Sequence, residues 1–521
     1  MPQKLSFTLP FTQDVDAYVR REFPEVRDYR VISKSLDARG APRGRVPSFL
    51  YGIEGLVGEN DEYTQGQSLP HFGALKAKPL IIGAGPAGLF CAVLLAEHGI
   101  PSTILERGEE ASKRMLKISK FWRYGVLDPD TNVCYGAGGA GLYSDGKLIT
   151  RVKSAHIPYV MQKLVEFGAP AEVAYISNPH LGSNKIRTII VKVAEWLESK
   201  GSSLRYNTRV ERLLYEGSKV IGVELSTGEK LYSDHVVLAA GHSAKEMYQH
   251  LMESGVAMKA KDFSVGVRIE HSRRHIDKIQ HGQWCESPEL GAARYRLSWH
   301  DHTTDTGVYS FCMCPGGYVL SSGTETDGLV VNGMSNFARN SPWSNAALVV
   351  TVKSAQLESQ DLMAGLDFQH AIEQASFKVS KKEATGREIP AMTVGEFMRG
   401  QVSDRPLPTT SCPSHIFKTD VSELFPASVT ASLREGLTNF EQNLPGFTRE
   451  DALLMAPETR TSSPLTITRD RQSYVSTSHE GLYPCGEGAG HAGGITSAAV
   501  DGVRVAYAIM SKEKLLPPAA P

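Results

Sequence analysis

The chain has 521 residues, 41 % hydrophobic and 22 % charged, which is the composition of a globular protein of two or three domains and excludes a disordered, collagen-like or coiled-coil chain. Fifty-six Lys and Arg against 57 Asp and Glu leave a net charge of -1, so no global field draws the chain to nucleic acid or anionic lipid. Seven cysteines, an odd number, do not form a disulfide framework and suit a reducing compartment, so a cytoplasmic protein is expected.

The first residues are mixed and polar, without an apolar run of signal-peptide length. Residues 1–75 are read as a small α+β domain with short apolar and charged alternation, running into a Gly-, Gln-, Ser- and Pro-rich linker over 58–79. The signals then sharpen. Pro79 to Ile82 is a short buried strand, Leu89 to His98 a helix stopped by Gly99, and Ile100 to Glu106 a second strand, the opening of a doubly wound sheet. The most apolar stretch, Leu80 to Ala96, contains Gly83, Gly85, Pro86 and Gly88, which suits a strand-turn-helix and not a membrane span.

Gly83, Gly85 and Gly88 form GxGxxG between that strand and that helix, with Pro86 and Ala87 inside it. Gly83 permits the tight turn, Gly85 lets the backbone approach a pyrophosphate, and Gly88 lets helix pack on strand. Glu106 stands at the end of the second strand to accept ribose hydroxyls, an argument against a 2′-phosphate that neighbouring Arg107 softens.

FAD and NAD share this half-motif, so the choice rests on two later segments. Tyr135 to Lys147 is a second glycine loop, in which Gly138, Gly139, Ser144, Asp145, Gly146 and Lys147 are candidate flavin contacts. Gly481 to Gly488 reads as a strand running into the pair Gly486-Glu487, where an acid can hydrogen-bond the ribityl chain. Gly493, Gly494 and Ile495 then lead into a helix over Ala498 to Met510, whose positive end favours negative charge on the reduced flavin by up to about 2 kcal/mol. FAD is therefore the expected cofactor, with NAD(P)H a candidate transient co-substrate because a second dinucleotide fingerprint is missing.

Between these segments, Ile186, Ile189, Ile190, Val193 and Leu197 mark an amphipathic helix, Val210 to Tyr232 a three-strand meander, and Val236 to Ala240 a buried strand ended by Gly241, another candidate FAD contact. The FAD domain is expected over 76–255 and 481–521, with a β-rich substrate domain inserted over 256–480. His271 and His275 read as part of a solvated basic turn. Cys312 and Cys314 could be a redox or nucleophilic pair, although i and i+2 on a strand share a face and two small core residues are the plainer reading. Arg460, among Thr459, Thr461, Ser462 and Ser463, could clamp a substrate carboxylate, face the flavin or pair with Glu458 or another acid. His491 is a candidate general acid/base. No metal site is expected. A short Pro/Ala tail, Pro517 to Pro521, closes the chain.

The stretches GAGPAGLF, LERG, GAGGAGLYSDGKL, VGVRIEH, FCMCPGGYV, ETRTSSP and YPCGEGAGHAGGITSAAVDG resemble the uncharacterised FAD-dependent dehydrogenases related to the HI-type flavoprotein group, with a glutathione-reductase-like FAD fold. The resemblance implies an α/β chain with a Rossmann-type doubly wound FAD-binding domain, more firmly than it implies a substrate. The expected activity is hydride transfer between flavin N5 and a small organic substrate. A flavin monooxygenase is the nearest enzymatic alternative, disfavoured by His242-Ser243-Ala244 where an Asp-Gly segment would stand. An FAD-bearing RNA-modifying or interaction protein is the other, resting on Arg39, Arg43 and Arg45. Neither a nucleic-acid nor a membrane partner is expected, and the oligomeric state is left open.

Overall fold

A computed structural model of the chain describes residues 2–63 and 70–516; the Pro/Ala tail and residues 64–69 of the linker lie outside the described residues. At the N-terminus, β1 (Gln3–Pro10), α1 (Val15–Glu22), β2 (Asp28–Asp37) and β3 (Ser48–Leu56) form an antiparallel sheet of order β1-β3-β2 with one helix. Phe7, Leu9, Val19, Tyr51 and Ile53 make its small core. Asp14 caps α1 by accepting the Ala17 N–H at 2.8 Å.

The next segment contains β4 (Leu80–Ile82), α2 (Pro86–Glu97), β5 (Thr103–Leu105), α3 (Arg114–Tyr124), α4 (Ile157–Glu166), α5 (Gly182–Ser199) and β6 (Ser203–Arg205). The meander β7 (Val210–Glu216), β8 (Lys219–Leu225) and β9 (Lys230–Tyr232) follows, then β10 (Val236–Leu238) and α6 (Lys245–Glu253). Two edges differ from the sequence reading for local reasons. Helix α2 starts three residues early because Pro86 has no N–H to satisfy and a φ suited to a first helical position. Strand β5 starts three residues late, after Pro101, which cannot donate to a ladder.

Then come β11 (Met258–Ala260), β12 (Phe263–Ser272), α7 (Arg273–His281), β13 (Ser298–Asp301), β14 (Thr306–Cys314), β15 (Tyr318–Ser321), β16 (Val331–Met334) and β17 (Trp343–Val352). They are followed by α8 (Ala364–Glu383), β18 (Ile389–Thr393), α9 (Val394–Arg399), β19 (Ile416–Lys418), α10 (Ala427–Asn443), β20 (Leu453–Glu458) and β21 (Leu465–Ile467). Seven of these strands build a β-rich sheet of order β13-β14-β17-β12-β20-β18-β19. Its core joins Val265, Val267 and Ile269 of β12 to Leu433, Leu437 and Phe440 of α10. His271 is not on a solvated turn: it is a buried residue of β12, with Nε2 2.7 Å from the Phe447 carbonyl, while His275 on α7 makes the same bond to Gly446.

Finally β22 (Leu482–Pro484) returns to lie parallel to β10, and α11 (Ile495–Lys512) packs on α2. The parallel sheet thus has order β22-β10-β4-β5-β6, built from both ends of the chain, as the doubly wound reading requires. Ile81, Val237 and Tyr483 are fully buried in it, and burial of each such side chain contributes roughly 1.5–3 kcal/mol. Gly502 sets the helix spacing, because a Cβ there would stand 2.0 Å from the Ala87 carbonyl oxygen. This close approach aligns the N-terminal ends of α2 and α11 beside one cavity. Among the described residues, no helix is long and apolar enough to cross a membrane.

Candidate functional site

The turn after β4 forms one wall of that cavity. Gly83 has φ +101°, and a Cβ there would lie 2.4 Å from the Ala239 carbonyl oxygen; at Gly88 it would lie 2.1 Å from the Gly83 carbonyl oxygen. Those two glycines are required by protein packing. A Cβ at Gly85 would meet nothing within 4 Å, and the same holds at Gly241, Gly493 and Gly494, which also line the cavity. Gly85 and Gly494 are the cap residues of α2 and α11, and neither helix has a side-chain cap. Two uncapped helix starts beside open space are suited to an anionic group such as a pyrophosphate. Glu106 accepts N–H bonds from Ala84 at 2.9 Å, Gly108 at 3.0 Å and Gly136 at 2.9 Å. It therefore ties the turn to the glycine loop while keeping part of its acceptor capacity, since a carboxylate offers about four acceptor sites.

The glycine loop is braced from behind by Arg114, which is fully buried. Its Nη1 donates to the carbonyls of Gly136, Ala137 and Gly139 at 3.2, 2.8 and 3.0 Å, and its Nη2 to those of Asn132 and Val133 at 2.7 and 3.1 Å. A planar guanidinium can serve these carbonyls together and an ammonium cannot. Gly138, at φ +89°, packs toward Ile190 and Leu142 and is not a lining residue, whereas Gly139, Ser144, Asp145, Gly146 and Lys147 are. Burial opposes ionisation of Asp145, but Lys147 and Arg339 overcome it and hold its carboxyl near 2. Arg107 lines the cavity as well, with its guanidinium 4.1 Å over the Tyr135 ring and paired with Asp130 at 2.8 Å and with Glu246.

The third segment contributes Cys485, Gly486 and Glu487 beside Gly493, Gly494 and Ile495. Burial raises the Glu487 carboxyl to about 7, against the attraction of Lys261. His491 faces elsewhere: its Nε2 is 2.9 Å from the Ile467 carbonyl, and burial beside Arg469 lowers it to about 4. Pro86 and Ala87 line the cavity at the start of α2, and Gly88 lies beneath them.

The opposite wall comes from the β-rich region and includes Phe311, Cys312, Asn332, Glu458, Arg460 and Thr461. Arg268 organises it from a fully buried position. Its Nε is 2.8 Å from Glu458 Oε2, its Nη1 2.7 Å from Asn345 Oδ1, and its Nη2 3.3 Å from Asn332 Oδ1. Glu458 is therefore the partner of Arg268, and Arg460 pairs with Glu373 of α8. Cys312 is half-buried on the wall, with Cys314 buried behind it. The simple i, i+2 alternation is interrupted there by a bulge between Phe311 and Cys314, and Cys312 has φ +45°. Sequence reasoning missed Arg114, Arg268, Glu373 and also His242, which lines the cavity with its Nδ1 3.9 Å from Glu487 Oε1. His242 directly follows Gly241, and that adjacency was the available signal.

Residues 76–117 match the family described as "FAD binding domain", and residues 262–461 the family described as "FAD-dependent protein, C-terminal domain-like". FAD is the cofactor, and the open glycine positions and free helix starts fit it. The chain is 40 % identical to an "Uncharacterized protein" of Clostridium beijerinckii (strain ATCC 51743 / NCIMB 8052) over 84 % of this chain and 81 % of that one. Solved structures with similarity include a mutant of the halogenase PltM in complex with FAD, 10 % identical, covering 85 % of this chain and 71 % of that one at a TM-score of 0.39. Another is glycine oxidase from Bacillus cereus ATCC 14579, 12 % identical, covering 84 % and 96 % at a TM-score of 0.32.

Proposed function

The chain belongs to the family of its Clostridium beijerinckii relative, and from its FAD-dependent domains we propose that it is an FAD-dependent oxidoreductase transferring hydride between the flavin and a small organic substrate. We place it with the FAD-dependent dehydrogenases that its sequence resembles. The observation that carries this reading is a single cavity with two chemically different walls. One has glycines and uncapped helix starts; the other has Cys312, Asn332, Arg460 and Thr461 from the β-rich region.

Bound FAD supplies two-electron, hydride-equivalent chemistry. The chain's own groups bind and orient. The Gly83–Gly88 turn and the start of α2 hold the pyrophosphate, Glu106 takes ribose hydroxyls, Glu487 takes a ribityl hydroxyl, and the start of α11 favours negative charge on the reduced ring. Across the cavity, Asn332, Thr461 and the outer edge of Arg460 orient the substrate, and Phe311 excludes water. Lys147 and His242 are further polar lining residues.

Anaerobic mixing of the yellow holoprotein with pooled hydroxy acids, amino acids and nicotinamide nucleotides tests the reading through loss of flavin absorbance. Bleaching by one class supports hydride transfer. Incorporation of labelled molecular oxygen into a product would reassign the protein as a monooxygenase.

A further inference from the structure

Cys312 and Cys314 stand where the proposed reaction would meet a substrate, yet hydride transfer to a small organic molecule uses neither. Their surroundings are unequal. Cys312 is partly open to the cavity, whereas Cys314 is fully buried, with Sγ 3.2 Å from the Cys312 carbonyl oxygen. Cys312 adopts φ +45°, a backbone conformation that a non-glycine residue keeps only where the surroundings impose it. Two cations lie beside the pair, each matched by a carboxylate, Lys147 by Asp145 at 3.3 Å and Arg268 by Glu458 at 2.8 Å. Lys147 donates to the carbonyl of Met313, between the two cysteines, and Arg268 Nη1 lies 3.3 Å from the Cys312 carbonyl oxygen and 3.9 Å from Cys314 Sγ. Two core cysteines need no bulge and no left-handed backbone.

We propose that Cys312 and Cys314 are a redox-active dithiol that passes electrons from the FAD site to a disulfide substrate. The inference rests on the oxidoreductase reading above and names its substrate class. Cys312 is the attacking sulfur because it is the member of the pair that opens on the cavity; neighbouring Cys314, then Lys147 and Arg268, lower its proton affinity, while burial raises that of Cys314. The Cys312 thiolate attacks one sulfur of the disulfide, forming a mixed disulfide and expelling the other half as a thiolate. That thiolate takes the Cys314 proton and leaves as a thiol. The Cys314 sulfur then attacks Cys312, closing the Cys312–Cys314 bond and expelling the second half as a thiolate. The enzyme thiolate and thiol have become a disulfide, and the substrate disulfide a thiol and a thiolate. Reset takes two electrons and one proton, the hydride equivalent held by reduced FAD, and restores one thiolate and one thiol; FAD regains that hydride from an organic donor such as a reduced nicotinamide nucleotide.

The test uses full-length holoprotein, pre-reduced and then freed of reductant, exposed to oxidised glutathione and digested with trypsin after alkylation. Cleavage after Arg296 and Arg339 places Cys312 and Cys314 together, without other cysteines, on residues 297–339. The expected result is a 297–339 peptide that has lost two hydrogens and takes no alkyl group, and that regains two alkylatable thiols after anaerobic photoreduction of the flavin with EDTA. In Cys314→Ser the same peptide carries glutathione on Cys312; in Cys312→Ser, Cys314 stays free. Flavin absorbance is read on the same samples. A yellow protein whose 297–339 peptide keeps both thiols at every glutathione ratio, or whose Cys314 takes the adduct first, overturns the inference and leaves the oxidoreductase reading standing. A colourless protein that FAD does not reconstitute overturns both.

Discussion

Arg460 and Glu373 form a two-point ion pair behind the cavity wall, with Nε 2.9 Å from Oε1 and Nη2 2.7 Å from Oε2. Burial disfavours the Glu373 carboxylate, yet Arg460 outweighs burial and holds it near 2. Removing one partner of a buried pair leaves the other charge without compensation, at about 3–5 kcal/mol. Arg460→Ala is therefore expected to lower the urea midpoint as well as any rate of flavin reduction. Adding Glu373→Gln should restore part of the loss, with a coupling above about 1 kcal/mol. Strictly additive effects in the unfolding cycle would show that the pair is not coupled.

Glu487 lines the cavity beside the start of α11. Losing a hydrogen bond to a charged group costs about 1.5–3 kcal/mol, one to two decades in affinity. Glu487→Ala should therefore release FAD more readily, read as its dissociation constant by flavin fluorescence, while Glu487→Gln retains more of the affinity. Unchanged binding in the alanine variant would remove the residue from the ribityl contact.

Four histidines, His180, His242, His271 and His491, are each lowered to about 4 by burial. Their stabilising effect is complete above the unfolded value of about 6.5 and is lost as pH falls toward 4, because the unfolded chain binds the protons first. For His271, which is 3 % exposed, this is about 3 kcal/mol. Glu487, raised to about 7, acts in the opposite sense, as do Glu270, Asp277, Glu458 and His370, all raised, but burial also lowers five further histidines, His156, His235, His250, His281 and His479. The urea midpoint of FAD-free protein should drop as pH is lowered from 7 to 5. A flat midpoint over that window would contradict the assignment.

What was legible in the sequence was whatever chemistry stays local in the chain. The GxGxxG turn needs three glycines within six residues, and the strands β4 and β10 and the helix α11 follow from short apolar runs bounded by glycine. What was not legible depends on partners far apart in the chain. Arg114 is an ordinary helix residue until five carbonyls of the loop that follows it turn inward, and Glu373 gains a role only when α8 brings it to Arg460, 87 residues away. His271 and His275 were misread because β12 extends to Ser272, so that α7 begins only between them. The bulge in β14 likewise arises from pairing with β17, and local alternation carries no trace of it.

If the cavity holds FAD against the turn at Gly85, a side-by-side FAD titration of FAD-free wild type and Gly85→Val will separate the two proteins. Gly85 has φ -80° and ψ -179°, which valine adopts without strain, and its Cβ would enter open space, so the variant should fold with a urea midpoint close to wild type. Wild type is expected to bind one FAD per chain and the variant at least about a hundredfold more weakly, a loss of about 2.7 kcal/mol, because the new side chain occupies the pyrophosphate's approach. Equal affinity in the two folded proteins would contradict it.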